Sequence, residues 1–100
     1  MAYAVIYARQ FHEQLMELEE YDYARVEGSI DVMAENPGLA RDYDPPYPAD
    51  NPPKSFKWYH VPRTYKVIYL TVDDAERVIR CYYLADARMD PLHRFDELEA

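Results

Sequence analysis

The stretch from Phe56 to Arg88 reads FKWYHVPRTYKVIYLTVDDAERVIRCYYLADAR and decides the fold. Most of its residues are β-branched, aromatic or aliphatic, the types that fit a pleated sheet. Two short polar segments, at residues 62–63 and 73–75, interrupt it. The sequence therefore predicts three antiparallel strands, Phe56–Val61, Thr64–Val72 and Glu76–Leu84, joined by tight turns.

The N-terminal part predicts one strand and two helices. Tyr3–Tyr7 is a short aromatic and β-branched run. Apolar residues then recur at steps of three and four over residues 8–20 and again from Asp22 to Glu35, which is the helical period. We expect Asp22 to cap the second helix and Asn36-Pro37-Gly38 to end it. The predicted fold class is α+β, one domain over residues 1–100, with the order β-α-α-β-β-β.

Two further segments complete the chain. Five prolines between positions 45 and 53 exclude a helix or a central strand from residues 44–53, so we expect a connector there, with a lid as the alternative. After Pro91, the residues Leu92, Phe95 and Leu98 follow at steps of three and predict a short final helix.

The charge of the chain is unevenly distributed. The formal net charge is −8, with balances of −8 over residues 1–53, +3 over residues 54–88 and −3 over residues 89–100. An acidic chain disfavours general nucleic-acid binding, but a local basic patch can still hold an anion. A single cysteine excludes an internal disulfide. The apolar N-terminal run is too short for a membrane span, so we expect a cytoplasmic protein without a membrane partner.

The predicted register decides which side chains share a face of the sheet. If Val61 pairs with Thr64, then Tyr59 lies opposite Lys66, and Lys57 lies two residues further along. Both faces of the meander are largely apolar, and two helices can cover only one of them. We expect the helices on the face that carries Trp58, Tyr65, Val67 and Tyr69. The other face then combines a basic end with an exposed aliphatic patch of Ile68, Leu70 and Val72, suited to a partner; a slip of one residue would exchange the faces.

Four segments, taken in order, resemble the RelE/ParE superfamily, the small toxins of bacterial toxin–antitoxin pairs. They are the opening run Met1–Tyr7 before a helix, the helix end Glu35-Asn36-Pro37, the strand Tyr65–Tyr69 with Asp73-Asp74 after it, and the final strand Tyr83–Arg88. The resemblance implies an antiparallel sheet with a helical hairpin on one face. It also implies a protein partner, the cognate antitoxin.

The resemblance leaves the activity open between two classes. RelE-like members cut messenger RNA in the ribosomal decoding site, so their partners are the ribosome and mRNA. ParE-like members inhibit DNA gyrase without a nuclease site. A toxin-like chain that has lost its activity and acts only through binding is a third alternative.

The RelE-like pattern maps onto named positions of this sequence. Lys57 matches the first strand lysine, Tyr59 stands where the family has a second lysine, Lys66 replaces the arginine of the aromatic strand, and Arg88 matches the arginine after the last strand. The C-terminal tyrosine position falls near His93.

These positions predict the parts of a metal-independent endoribonuclease without a cofactor. Cleavage needs a base for the 2′-hydroxyl, cations for the charge that builds on the phosphate, and an acid for the leaving oxygen. We expect Lys57, Lys66 and Arg88 to hold the phosphate. His93 or His60 is expected to move protons, and Tyr59 or Trp58 to stack on a base. Arg63, in the turn, is expected to contact the substrate. Each residue also has a structural alternative, since strand lysines are commonly solvated and Trp58 suits a core.

Overall fold

The computed structural model describes residues 2–43, 56–89, 93 and 95–98. Its elements are two helices and five strands. In chain order they are β1 (Ala4–Tyr7), α1 (Arg9–Met16), α2 (Glu20–Glu35), β2 (Arg41–Asp42), β3 (Lys57–His60), β4 (Lys66–Asp73) and β5 (Val78–Asp86), with a 3₁₀ turn at Pro37–Leu39. The α+β class and the order of the predicted elements are confirmed, and β2 is an addition that the sequence did not predict.

The five strands form one mixed sheet in the order β1-β5-β4-β3-β2. The chain from β2 to β5 is antiparallel throughout, as predicted, whereas β1 pairs in parallel with β5. The parallel pair requires a crossover, and the chain makes it through the two helices and the strands β2–β4.

The helices begin and end within a few residues of the predicted bounds. However, Asp22 does not cap α2, because the helix already begins at Glu20 and Glu19 occupies the N-cap position. Asn36 ends α2 and Pro37 opens the 3₁₀ turn, so the predicted stop is confirmed.

The main core lies between the helices and the sheet face that carries Ile68 and Leu70. Both side chains are fully buried, together with Phe11 and Leu15 of α1. The prediction that the helices cover the Trp58/Tyr65/Val67/Tyr69 face is therefore wrong. In the expected exposed patch, Ile68 and Leu70 are instead core residues, and Val72 is partly buried against them.

The opposite face carries an aromatic cluster of its own. Tyr69 and Tyr83 are almost fully buried there, and Phe95 of the C-terminal segment packs on Tyr69 with ring centroids 4.9 Å apart. The cluster further includes Phe56, Val67 and Ala85, with Tyr43, Trp58, Tyr82 and Leu98 packed against it. Because both faces are covered, both faces of β4 are apolar, and this is why the pattern alone pointed to the wrong face.

Both hairpins have longer turns than predicted. Val61 N–H donates to the Lys66 carbonyl at 2.9 Å, so four residues, 62–65, form the loop between β3 and β4. Asp73 pairs with Val78, which leaves the four-residue loop 74–77. Each loop contains one arginine in the left-handed region, Arg63 (φ 62°) and Arg77 (φ 56°).

The longer loop moves the β3–β4 register by two residues from the prediction. Tyr59 lies opposite Ile68, and Lys57 lies opposite Leu70. A shift of two residues keeps every side chain on its predicted face, because side chains alternate with a period of two. It also carries Lys57 further from Lys66.

The predicted tail and connector are only partly described. Two i to i+3 backbone hydrogen bonds are described in the tail, from Asp96 N–H to the His93 carbonyl at 3.2 Å and from Leu98 N–H to the Phe95 carbonyl at 3.1 Å, and residues 95–97 form a turn. Leu92 and the proline-rich segment 44–53 lie outside the described residues.

Candidate functional site

An open concavity of about 540 Å³ lies at the end of the sheet where β3 turns into β4. Three cationic side chains, one carboxylate and one imidazole meet there. Its lining residues are Asp22, His60, Arg63, Thr64, Tyr65, Lys66 and Arg88. The concavity therefore gathers Arg63, Lys66 and Arg88, three of the residues predicted to bind substrate or act in catalysis.

The loop between β3 and β4 is held in place by its own side chains. The Thr64 hydroxyl donates to the Val61 carbonyl at 2.9 Å and accepts from Lys66 N–H at 3.0 Å. Tyr21 of α2 contacts the Arg63 carbonyl at 3.5 Å. These contacts fix the backbone that presents Arg63 and Lys66 to the concavity.

Arg88 is oriented by two neighbours. Its Nε and Nη2 donate to the two carboxylate oxygens of Asp86 at 3.0 and 2.7 Å, and its guanidinium lies 4.1 Å from the ring centroid of Tyr65. A guanidinium has five N–H groups, so the edge that includes Nη1 remains available for an anion. The side chain is 65% exposed, which makes that edge accessible.

Asp86 stays ionised beside these cations. The hydrogen bond from the Arg88 side chain lowers the pKa of Asp86 to about 2, and the charge of Lys66 acts in the same direction. Conversely, the hydrogen bond with Asp86 raises the pKa of Arg88. Lys66 lies directly opposite Asp86 on the neighbouring strand. The carboxylate thus holds Arg88 in place and offsets part of the charge of both cations.

His60 brings an imidazole ring to the same place. Its Nε2 lies 2.8 Å from the Thr64 carbonyl. Because a carbonyl oxygen only accepts, Nε2 carries the proton, and in the neutral ring Nδ1 is the proton acceptor. The imidazole is exposed at the edge of the concavity.

Three other predicted site residues lie elsewhere. Lys57 pairs with Asp42 at 2.7 Å, and its position opposite Leu70 is four residues along β4 from Lys66, or about 13 Å. Tyr59 packs against the main core and lines a second depression of about 250 Å³ beside α2. His93 pairs with Asp96 at 2.7 Å in the C-terminal segment.

Sequence reasoning missed Asp22, Tyr65 and Asp86 as parts of the site. Asp22 fits a helix cap equally well, and nothing in the sequence brings α2 near the β3–β4 loop. Tyr65 reads as an ordinary strand residue, yet it is 57% exposed and stacked against Arg88. Asp86 precedes Arg88 by two residues, a spacing that signals a local ion pair.

Within the described ranges, no group of three histidine, cysteine or acidic residues is arranged to hold a metal ion. No described helix has both the length and the apolar character to cross a membrane. Cys81 is buried in the core, and burial raises the pKa of its thiol to about 12, so it is a packing residue and not a nucleophile.

Comparison with known proteins places the fold. No protein-family model matches the sequence, and no curated protein matches it either. Among solved structures, the chain is similar to one from an archaeal RelE–RelB complex of Pyrococcus horikoshii, with a TM-score of 0.67 and 16% identity over 90% of this chain and 100% of that one. It is also similar to a mutant of the Escherichia coli toxin RelE in the free state, with a TM-score of 0.65 and 12% identity over 93% of this chain and 92% of that one.

Proposed function

We propose that this chain, whose fold is that of the RelE toxins, is the toxin of a toxin–antitoxin pair and cuts messenger RNA on the ribosome. The observation that carries the proposal is the meeting of Arg63, Lys66 and Arg88 with His60 around one concavity. An otherwise acidic chain thus places three of its eleven lysines and arginines around one concavity, where they can bind a phosphate.

The chemistry is transfer of the phosphate from one ribose oxygen to another. The 2′-oxygen attacks phosphorus, the bond to the 5′-oxygen of the next nucleotide breaks, and negative charge builds on the non-bridging oxygens in between. The outward edge of Arg88 can bind two of these oxygens, while Lys66 contributes a point charge. Lys57 does not line the concavity and lies about 13 Å from Lys66 along the sheet. Arg63, which does line it, is therefore the third cation in this scheme.

Proton transfer falls to groups at the same concavity. His60 accepts the proton of the 2′-hydroxyl at Nδ1, because its Nε2 proton is committed to the Thr64 carbonyl. The leaving 5′-oxygen takes a proton from the Lys66 ammonium or from water. His93 remains a predicted participant, and it pairs with Asp96 at 2.7 Å.

An antitoxin is the expected protein partner. The similar chain from Pyrococcus horikoshii comes from a complex of RelE with RelB. By analogy we propose that this chain is held inactive by a protein antitoxin in the cytoplasm, and that the ribosome and mRNA are its targets once it is released.

The two hairpin arginines provide a matched test. Arg63 and Arg77 both stand in the left-handed region of a four-residue loop, at opposite ends of β4. Arg63→Gln should lower the rate of messenger cleavage on programmed ribosomes by at least about tenfold, whereas Arg77→Gln should leave it unchanged. Equal rates for both variants would remove Arg63 from the site.

A ParE-like inhibitor of DNA gyrase is the second candidate. The observation that favours it is the position of Lys57 and Tyr59, which stand at the two lysine positions of the nuclease pattern and do not line the concavity. A gyrase supercoiling assay at saturating protein separates the two functions, since a ribosome-dependent nuclease leaves supercoiling unaffected.

A further inference from the structure

Tyr65 is an aromatic ring at the concavity to which neither the sequence pattern nor the cleavage scheme assigns a role. We infer that Tyr65, backed by Arg88, is a stacking site for one nucleobase of the RNA, a subsite that rests on the proposed function and specifies how the substrate is held. The ring is 57% exposed and lines the same concavity as the three cations.

The geometry leaves one face of the ring for a ligand. The Arg88 guanidinium lies 4.1 Å from the ring centroid and so covers one face. An exposed fraction of 57% must then come mainly from the other face and the ring edge. A base has a flat π-face that fits such a ring, and proteins that read unpaired RNA use exposed aromatic rings in this way.

Hydrogen bonds hold both members of the Tyr65–Arg88 pair in position. The Tyr65 carbonyl accepts from Ala87 N–H at 2.6 Å, which fixes the backbone beneath the ring. Arg88 is itself held by two hydrogen bonds to Asp86. Stacking of a base therefore immobilises few additional side-chain torsions, so little binding free energy is lost to conformational entropy.

Electrostatics favour a base over a cationic side chain as the occupant. A cation on one face of an aromatic ring is attracted by the negative charge of the ring's π-system. Its own positive charge weakens the attraction of a second cation to the opposite face. Arg63 and Lys66 line the concavity beside the ring and would repel an incoming lysine or arginine. The same cations attract the phosphate attached to a nucleobase.

The other aromatic candidates are engaged elsewhere. Tyr59 packs against the main core, and Trp58 packs in the aromatic cluster with Arg41 over its ring. The stacking function that the sequence predicted for Tyr59 or Trp58 thus moves to Tyr65.

The experiment measures binding of labelled protein to ribosomes programmed with a messenger that carries 2′-O-methyl groups at the decoding-site codon and cannot be cut. Each codon position is replaced in turn by an abasic nucleotide. The variants are Tyr65→Leu, which keeps apolar bulk without a π-face, and Tyr65→Phe, which restores the ring. Tyr3→Leu is the control, because the Tyr3 hydroxyl donates to Asp74 at the other end of β4 and the side chain does not line the concavity.

The stacking site predicts that one abasic position weakens wild-type binding by about 5- to 150-fold. Tyr65→Leu should lose the same factor and become insensitive to that abasic position, while Tyr65→Phe and Tyr3→Leu should bind like the wild type. Two results would overturn the stacking site even if unmodified messenger is still cut. One is a Tyr65→Leu variant that binds with wild-type affinity. The other is an affinity loss for Tyr65→Leu on the abasic messenger that equals the product of the two separate losses. A wild type that neither binds nor cuts would overturn the proposed nuclease and the stacking site together.

Discussion

Gln14 of α1 is predicted to hold the end of the strand that leads into the site. Its side-chain amide donates to the Leu84 carbonyl at 2.9 Å, and its Oε1 accepts from Leu84 N–H at 2.8 Å. These bonds replace a missing strand, because β1 pairs with β5 only as far as Cys81. A bulge precedes Leu84 on the other side, where β4 pairs Tyr69 with Tyr83 and then skips to Cys81.

The magnitude follows from what Gln14→Leu would leave unpaired. Leu84 is 7% exposed, so its N–H and carbonyl would each lose a partner in a largely dry position. An unsatisfied buried polar group costs about 1–3 kcal/mol. Because Gln14 itself is half-buried and water can reach part of the gap, we expect a loss of about 2–4 kcal/mol in the free energy of unfolding. That is a large share of the roughly 5–15 kcal/mol typical of a domain.

Urea denaturation followed by circular dichroism measures this loss, with His12→Leu as the control because His12 is exposed on the same helix. The control should change stability by less than about 0.5 kcal/mol. Amide exchange should accelerate most at Leu84 and at the strand residues that follow. A Gln14→Leu variant as stable as His12→Leu would show that Leu84 finds other partners and that the side-chain bridge is dispensable.

Three further outcomes follow from the structure. Lys66→Gln should lower cleavage by about a hundredfold, whereas Lys57→Gln, which alters a position about 13 Å away, should cost less than tenfold; equal losses would place Lys57 in the site as well. Cys81 should react with Ellman's reagent about a thousandfold more slowly in the native protein than in urea, because burial raises the pKa of its thiol to about 12, and rapid native labelling would contradict that burial. Because the pKa of Asp86 is lowered to about 2 in the fold, its ionised carboxylate contributes stability above the unfolded-state pKa near 4, and this contribution is lost as the pH falls through about 2. The difference in unfolding free energy between wild type and Asp86→Asn should therefore narrow between pH 4 and 2. A difference that stays constant would refute the ion pair with Arg88.

Most of the fold could be predicted from the sequence because its elements have strong periods. The helices follow apolar steps of three and four, and the meander follows its β-branched and aromatic runs. The face of the sheet that the helices cover could not be predicted. Phe95 and the other rings of the aromatic cluster bury the opposite face, so both faces are apolar in the sequence. Nor does the sequence reveal the bulge in β5. Before the bulge the main-core residues are the odd positions Ile79 and Cys81, and after it the main-core residue is the even position Leu84.

The site was predictable where it depends on sequence neighbours and not where it depends on the turn. Arg63 lies in the loop that leads directly into Lys66, the first residue of β4, and Arg88 follows the strand paired with Lys66, so their meeting needs only the order of strands. The position of Lys57 depends on whether the turn has two residues or four. The longer turn is set by Arg63 in the left-handed region and by the Thr64 hydroxyl bonds, details that composition does not disclose.

The central claim is that the concavity at the β3–β4 loop cuts messenger RNA on the ribosome, and primer extension on a defined messenger tests it most directly. The reaction contains purified protein and programmed ribosomes, with ribosome-free RNA and the Lys66→Gln variant as controls. We predict discrete cuts within the decoding-site codon that are absent without ribosomes and about a hundredfold weaker with Lys66→Gln. A folded wild-type protein that leaves the messenger intact would contradict the claim; inhibition of gyrase supercoiling by the same sample would then assign the concavity to a binding surface, and its absence would indicate a toxin fold that has lost its activity.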